Sequence, residues 1–269
     1  MKRRAFAISA LLATPIAGFG ALDDDLGTME FYNGFDENKP TIIGVHGWFG
    51  SISYESTFGR SPTFADNANV IGWEWDAAAF VRITEKARRS GRELAREFHT
   101  FLMENAPNYA QPIQLAGHSL GTHVVLETAA ELREIGRDDP NYATYQADHV
   151  TLVDTGFNAN IPKAIANIED DYLVELKLDN YWSPEDAGGT GSAYDGGFVN
   201  VRVPLEHVTL WYWYFASLDD QPVSRIKPGG AYSLVGQFSG YNLRDGVAVM
   251  TTGDSTPLDL SDDTFRREN

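Results

Sequence analysis

The chain has 269 residues, of which 43% are hydrophobic and 12% aromatic, with a formal net charge of −17 and no cysteine. That length and apolar content suit one large domain, while the acidic balance repels nucleic acid and anionic head groups and sets a nucleic-acid-binding role aside. The absence of cysteine excludes a disulfide framework, a thiolate metal site, a cysteine nucleophile and a lipid-bearing cysteine.

The chain opens with Lys2-Arg3-Arg4 and an apolar stretch from Ala5 to Ile16. Small residues at Ala17-Gly18 and Gly20-Ala21 follow, then Asp23-Asp24-Asp25. A basic start, a short apolar centre and small residues before an acidic run make a secretory signal peptide over residues 1–21, too short for a membrane span. Cleavage is expected after Gly20 or Ala21. It would remove three basic residues, taking the charge from −17 to −20, and leave no integral membrane span. Residues 22–269 are expected to form a single domain in a secreted or periplasmic protein.

Thr41 to Val45 is an apolar run, as in a buried parallel strand, and Val70 to Trp75 reads as the next strand. Between them, Phe49 to Asn69 is a loop rich in glycine and serine. Ile83 to Glu104 is an amphipathic helix with Ala87, Leu94, Phe98, Phe101 and Leu102 on one face. Ile113 to Ala116 is a strand, and Thr122 to Ile135 a helix stopped near Gly136. His149 to Val153 and Tyr172 to Leu178 are strands, followed by a glycine-containing loop from Ser183 to Gly197. Phe198 to Val203 is the last core strand, and a helix spans Glu206 to Ser217. From about residue 221 the chain is rich in Gly, Ser and Asp; Tyr232 to Phe238 is suited to pair with Val247 to Thr251. Strands alternating with helices predict an α/β class with a mainly parallel central sheet and helices on both faces.

The chemistry concentrates where the strand 113–116 meets the helix after it. The sequence there is Gly117-His118-Ser119-Leu120-Gly121. The pattern G-x-S-x-G has mechanical meaning only between a strand and a helix, where it forces the serine onto a sharp exposed turn. That context is met, so Ser119 reads as a nucleophile rather than a turn serine. Upstream, Gly44-Val45-His46-Gly47-Trp48 follows a strand, as an oxyanion loop would. Its donors would be the backbone N–H groups of Trp48 and of Leu120, the residue after the nucleophile. Gly47 would let the loop approach Ser119, with His46 bracing the turn.

GHSLGTHVV, the earlier VHGW and the strand order resemble the secreted α/β-hydrolase lipases, especially the pancreatic-lipase-like group, over roughly Thr41 to Ser217. The resemblance implies an α/β-hydrolase fold and ester hydrolysis by a Ser–Asp–His triad, with His118 and His123 structural. Among six histidines, His46 belongs to the oxyanion loop, His99 to a helix and His149 to a strand. His207 remains, placed after the serine and the acid as the chain order of these enzymes requires. It also begins His207-Val208-Thr209-Leu210-Trp211-Tyr212-Trp213-Tyr214, similar to the family's catalytic histidine with its aromatic helix. Two carboxylates compete for the acid. Asp154 follows a strand in Leu152-Val153-Asp154-Thr155-Gly156, where the pancreatic-type enzymes have an LDPA-like stretch, although Thr155-Gly156 replace its proline and alanine. Asp179 ends the next predicted strand, the position used by many other α/β-hydrolases. Asp154 is preferred, and Asp179 would then cap a turn.

Trp48, Phe49, Trp182, Trp211 and Trp213 could together line an acyl pocket, although for each taken alone a place in the core is the better reading. The sequence thus points to an exported serine hydrolase of carboxylic esters, lipids first among substrates, with no metal or organic cofactor required. A phospholipase A1 or polyester depolymerase on the same scaffold is the enzymatic alternative, and a non-catalytic hydrolase-fold binding protein the other.

Overall fold

The computed structural model describes residues 26–48, 50–51, 66–75, 83–139, 145–156, 176–182, 199–202, 207–218 and 266–268. The signal peptide, Phe49, the Ser183–Gly197 loop and the C-terminal hairpin lie outside the described residues. In chain order the elements are β1 (Thr28–Phe31), β2 (Thr41–Val45), β3 (Asn69–Glu74), α1 (Ile83–Asn105), β4 (Ile113–His118), α2 (Gly121–Asp138), β5 (His149–Val153), β6 (Lys177–Trp182), β7 (Val199–Arg202), α3 (His207–Leu218) and β8 (Arg266–Glu268).

The strands form one sheet in the order β1-β3-β2-β4-β5-β6-β7-β8. Six of them, β3 through β7 in that order, run parallel, and β1 and β8 flank them antiparallel. The central strands are buried on both faces, which explains their near-continuous apolar runs.

Alternation along β5 sorts the two faces. Val150 and Leu152 join the core under α1 and α2, whereas Thr151 accepts a hydrogen bond from Tyr214 of α3. The helices therefore cover both faces of a mainly parallel sheet. On the first face α1 and α2 pack closely. A Cβ on Gly91 would stand 2.4 Å from Val124 O, and Thr128 Oγ1 donates to Gly91 O at 3.0 Å. Arg92 pairs with Glu127 and Arg96 with Glu131 along the same seam.

Several boundaries differ from the sequence expectation. The helix expected to stop near Gly136 runs on to Asp138, and the chain turns extended only at Asp139. Gly136 is buried there, so it serves packing rather than termination. The strand placed at Tyr172–Leu178 is instead Lys177–Trp182, with residues 172–175 outside the described set. Two short edge strands, β1 and β8, carried no sequence signal.

Candidate active site

Ser119 and Asp154 sit at the carboxyl ends of the adjacent strands β4 and β5, where reactive groups gather in such sheets. The ladder continues past both strands to hold them. Ser119 N–H donates to Val153 O at 3.0 Å, and Asp154 N–H to Tyr181 O at 2.7 Å. Both residues have left-handed backbone, φ 54° for Ser119 and 43° for Asp154. For residues other than glycine that conformation costs roughly 1–3 kcal/mol and persists only where the surroundings impose it.

The surroundings at Ser119 are close-packed backbone. A Cβ on Gly117 would lie 2.5 Å from Gly121 O, and one on Gly121 would lie 2.4 Å from Val45 O. Only hydrogen at these positions lets β4, α2 and the end of β2 converge on the turn. Thr122 Oγ1 donates to Ser119 O at 2.6 Å. Leu120 caps α2 without a side-chain acceptor; Thr122 and His123 N–H donate back to Ser119 O and Leu120 O, and the helix's positive end lies behind the serine.

Two further glycines flank the hydroxyl. A Cβ on Gly47 would stand 2.5 Å from Ser119 Cβ and 3.1 Å from Oγ; one on Gly156 would stand 2.7 Å from Oγ and 3.2 Å from Leu120 N. Gly156 occupies the place where the resemblance leads one to expect alanine, so the departure from the LDPA-like stretch falls against the Ser119 hydroxyl.

The loop after β2 is braced by His46. Its Nδ1 donates to Gly47 O at 2.8 Å, and Gly50 N–H donates to the same oxygen at 3.0 Å. Because the peptide is planar and trans, fixing the Gly47 carbonyl fixes the opposite-facing N–H of Trp48. His46 is itself held by Trp75, whose Nε1 donates to His46 O at 2.9 Å, and by Glu74 Oε1, 3.0 Å from its Nε2.

The His207 ring begins α3 and reaches Asp154. Its Nδ1 lies 2.6 Å from Asp154 Oδ2, with the Asp154 side chain fully buried and that of His207 19% exposed. A carboxylate only accepts, so Nδ1 carries the proton and Nε2 is the basic nitrogen of the ring. Asp179 lies elsewhere. It is not at a strand end but inside β6, in register with Thr151, three residues or about 10 Å below the level of Asp154. Its Oδ1 is 3.0 Å from His149 Nε2, and both side chains are buried. The expectation that it would cap a turn is corrected: it belongs to a buried polar cluster. In the same cluster Gln114 Nε2 donates to Tyr214 OH at 2.7 Å and to Thr151 Oγ1 at 3.0 Å.

Of the remaining histidines, His99 lies on α1 and His123 is buried at the start of α2. Burial and then Arg88 lower the His123 pKa to about 4. Trp182 and Trp211 are buried, whereas Trp48 is 36% exposed. Among the described residues no cluster of His, Asp and Glu is arranged to hold a metal ion. No helix among them is long and apolar enough to cross a membrane.

A mainly parallel sheet, a strained serine between strand and helix, and a carboxylate and histidine after later strands make one architecture. The fold is that of the α/β-hydrolases. The sequence matches no family model and no curated protein. Among solved structures it is similar to a CIB-like hydrolase from Thermoplasma acidophilum, at 15% identity and a TM-score of 0.44, covering 81% of this chain and 98% of that one. It is also similar to an esterase from Pyrococcus furiosus, at 13% identity and a TM-score of 0.46, covering 81% of this chain and 88% of that one.

Proposed function

We propose that the protein is an exported serine hydrolase cleaving carboxylic esters, lipids first among them, through Ser119, His207 and Asp154. The observation that carries this reading is the 2.6 Å contact between His207 Nδ1 and Asp154 Oδ2, made on strand ends next to a serine at φ 54°. Asp154 holds the ring in the tautomer whose Nε2 accepts a proton and stabilises the imidazolium that results. Ser119 Oγ attacks the ester carbonyl as His207 takes its proton. The N–H groups of Trp48 and Leu120 meet the oxygen on which negative charge develops. The imidazolium then protonates the leaving alcohol, and a water activated by His207 releases the acid from the acyl-enzyme.

Hydrolysis of a soluble p-nitrophenyl ester by the purified protein tests the reading. Ser119→Ala is expected to lower kcat by about 10³ or more while the protein stays folded. Turnover at the wild-type rate in that variant would remove Ser119 from the chemistry.

A further inference from the structure

His118 takes no part in those steps, yet its ring lies against the base. The ring centroids of His118 and His207 are 4.4 Å apart. On its other side His118 stacks on Trp211, at 5.4 Å and 20° between planes. Its Nε2 is 3.0 Å from the main-chain oxygen of His207. A carbonyl oxygen has no proton to give, so Nε2–H donates and the tautomer is set.

His118 ends β4 and immediately precedes Ser119. His207 is therefore held at two points from two adjacent strand ends, its side chain by Asp154 after β5 and its main chain by His118 of β4. The second hold ties the base directly to the residue bonded to the nucleophile. Nothing in the G-x-S-x-G pattern requires it, because the residue before the serine needs only to fit the turn.

We propose that His118 is a positioning residue: a neutral imidazole whose Nε2–H fixes the first turn of α3 against the nucleophile's turn, so that His207 meets Ser119 in one geometry. This deepens the Ser–His–Asp reading and rests on it. Neutrality matters, because a second cation beside His207 would oppose the imidazolium formed on it during acyl transfer. Burial, and next the His207 charge, hold the His118 pKa well below the usual histidine value, with His46 acting in the same direction. The positive charge of the reaction is thus left to His207, beside Asp154.

Two substitutions separate the donor from the ring. His118→Phe keeps an aromatic ring for Trp211 and loses the N–H; His118→Gln loses the ring and places an amide N–H near Nε2. The phenylalanine variant is expected to lose about 100-fold in kcat, the scale of a small misplacement of a catalytic group, with KM changed less than about threefold. Labelling of Ser119 by a fluorophosphonate should slow in parallel. The glutamine variant should regain most of that loss. Wild-type kcat in His118→Phe, or equal loss in both variants, would overturn the positioning role. Ser119→Ala in the same assay keeps the two readings apart. If it is inactive while His118→Phe is fully active, only the inference about His118 fails; if it still turns over, the triad reading itself fails. Wild-type protein supplies a check that no folding defect can obscure. Nitrogen NMR should find the His118 proton on Nε2, and a proton on Nδ1 would contradict the proposal.

Discussion

Of the three carboxylate–imidazole pairs among the described residues, Asp154–His207 and Asp179–His149 take their carboxylates from the end of β5 and from the neighbouring β6, and these two differ in depth. Asp154–His207 stands past the carboxyl ends of the strands, with the imidazole partly exposed on a helix. Asp179–His149 lies within the sheet, both side chains buried, under Tyr214. The first pair lies beside a serine at φ 54° on the adjacent strand end, and Nε2 is the ring nitrogen that the proposed chemistry uses. Beside the second lies Thr151, whose Oγ1 is 3.4 Å from His149 Nε2 and is buried in turn. The same chemical groups thus form the candidate site past the ends of the central strands and a buried polar pair about 10 Å beneath it.

Exchanging Asp154 for its amide breaks the comparison most severely. Asp154→Asn should lower kcat by about 10⁴, the scale of that change in a serine-protease triad, because an amide favours the wrong tautomer and supplies no charge. Ester turnover by the folded variant within about tenfold of wild type would contradict this assignment.

The lower pair should answer in stability instead. Asp179 and His149 are buried against each other, and removing one leaves the other's polar atoms buried without that partner, so Asp179→Ala should cost about 1–3 kcal/mol in urea unfolding. The kcat of its folded fraction should stay within about threefold of wild type, since neither Asp154 nor His118 is touched. A large kcat loss at unchanged stability would reverse the roles of the two carboxylates.

Acid should expose another difference between buried and working histidines. His118 and His123 are held neutral in the folded state, the latter with a pKa lowered to about 4. In the unfolded chain they titrate near 6.5. Above that pH neither state binds the extra proton, and stability is unaffected by these groups. As pH falls through 6.5 the unfolded chain protonates first, so stability is lost progressively down to the folded pKa. His123 alone accounts for about 3 kcal/mol between pH 6.5 and 4. Urea unfolding of wild type and His123→Asn at pH 7 and pH 4.5 measures it. The variant should lose less stability on acidification, and identical losses would show that His123 does not carry the effect.

How much of this was legible in the sequence follows from how local each feature is. The Ser119 turn is a contiguous strand, turn and helix, so GHSLG specified it directly, and the glycine approaches at Gly117 and Gly121 are what that pattern encodes, while that at Gly47 belongs to the earlier VHGW loop. His207 was reachable from chain order and its aromatic helix. Asp179 was misplaced because a strand's end is set by register, here Thr151 against Asp179, and no short window carries that information. The same holds for the edge strands β1 and β8, which exist only through pairing with β3 and β7. The contact of His118 with His207 spans 89 residues, and the sequence offered only its place before the serine. Tyr214 lies three residues after Trp211 and both are buried, a helical spacing that suits the core but carries no sign of Gln114 and Thr151 as partners.

The smallest effect sharpens this last point. Tyr214→Phe removes one hydroxyl from the buried polar cluster and should cost about 1–2 kcal/mol of stability, the scale of a buried hydrogen bond with partners left unpaired. Its kcat should fall less than about threefold, because the first turn of α3 is held by Asp154 and His118 rather than from below. A kcat loss like that of His118→Phe would place the helix's anchor at Tyr214 instead.

The central claim is that Ser119 is the nucleophile of a serine hydrolase, and the most direct measurement is covalent labelling of the folded protein with a fluorophosphonate, followed by peptide mapping. The account predicts one phosphonyl group per chain, attached to Ser119, and no labelling at that site in Ser119→Ala or after denaturation. A folded wild-type protein that stays unlabelled, or one labelled at a different residue, would contradict it.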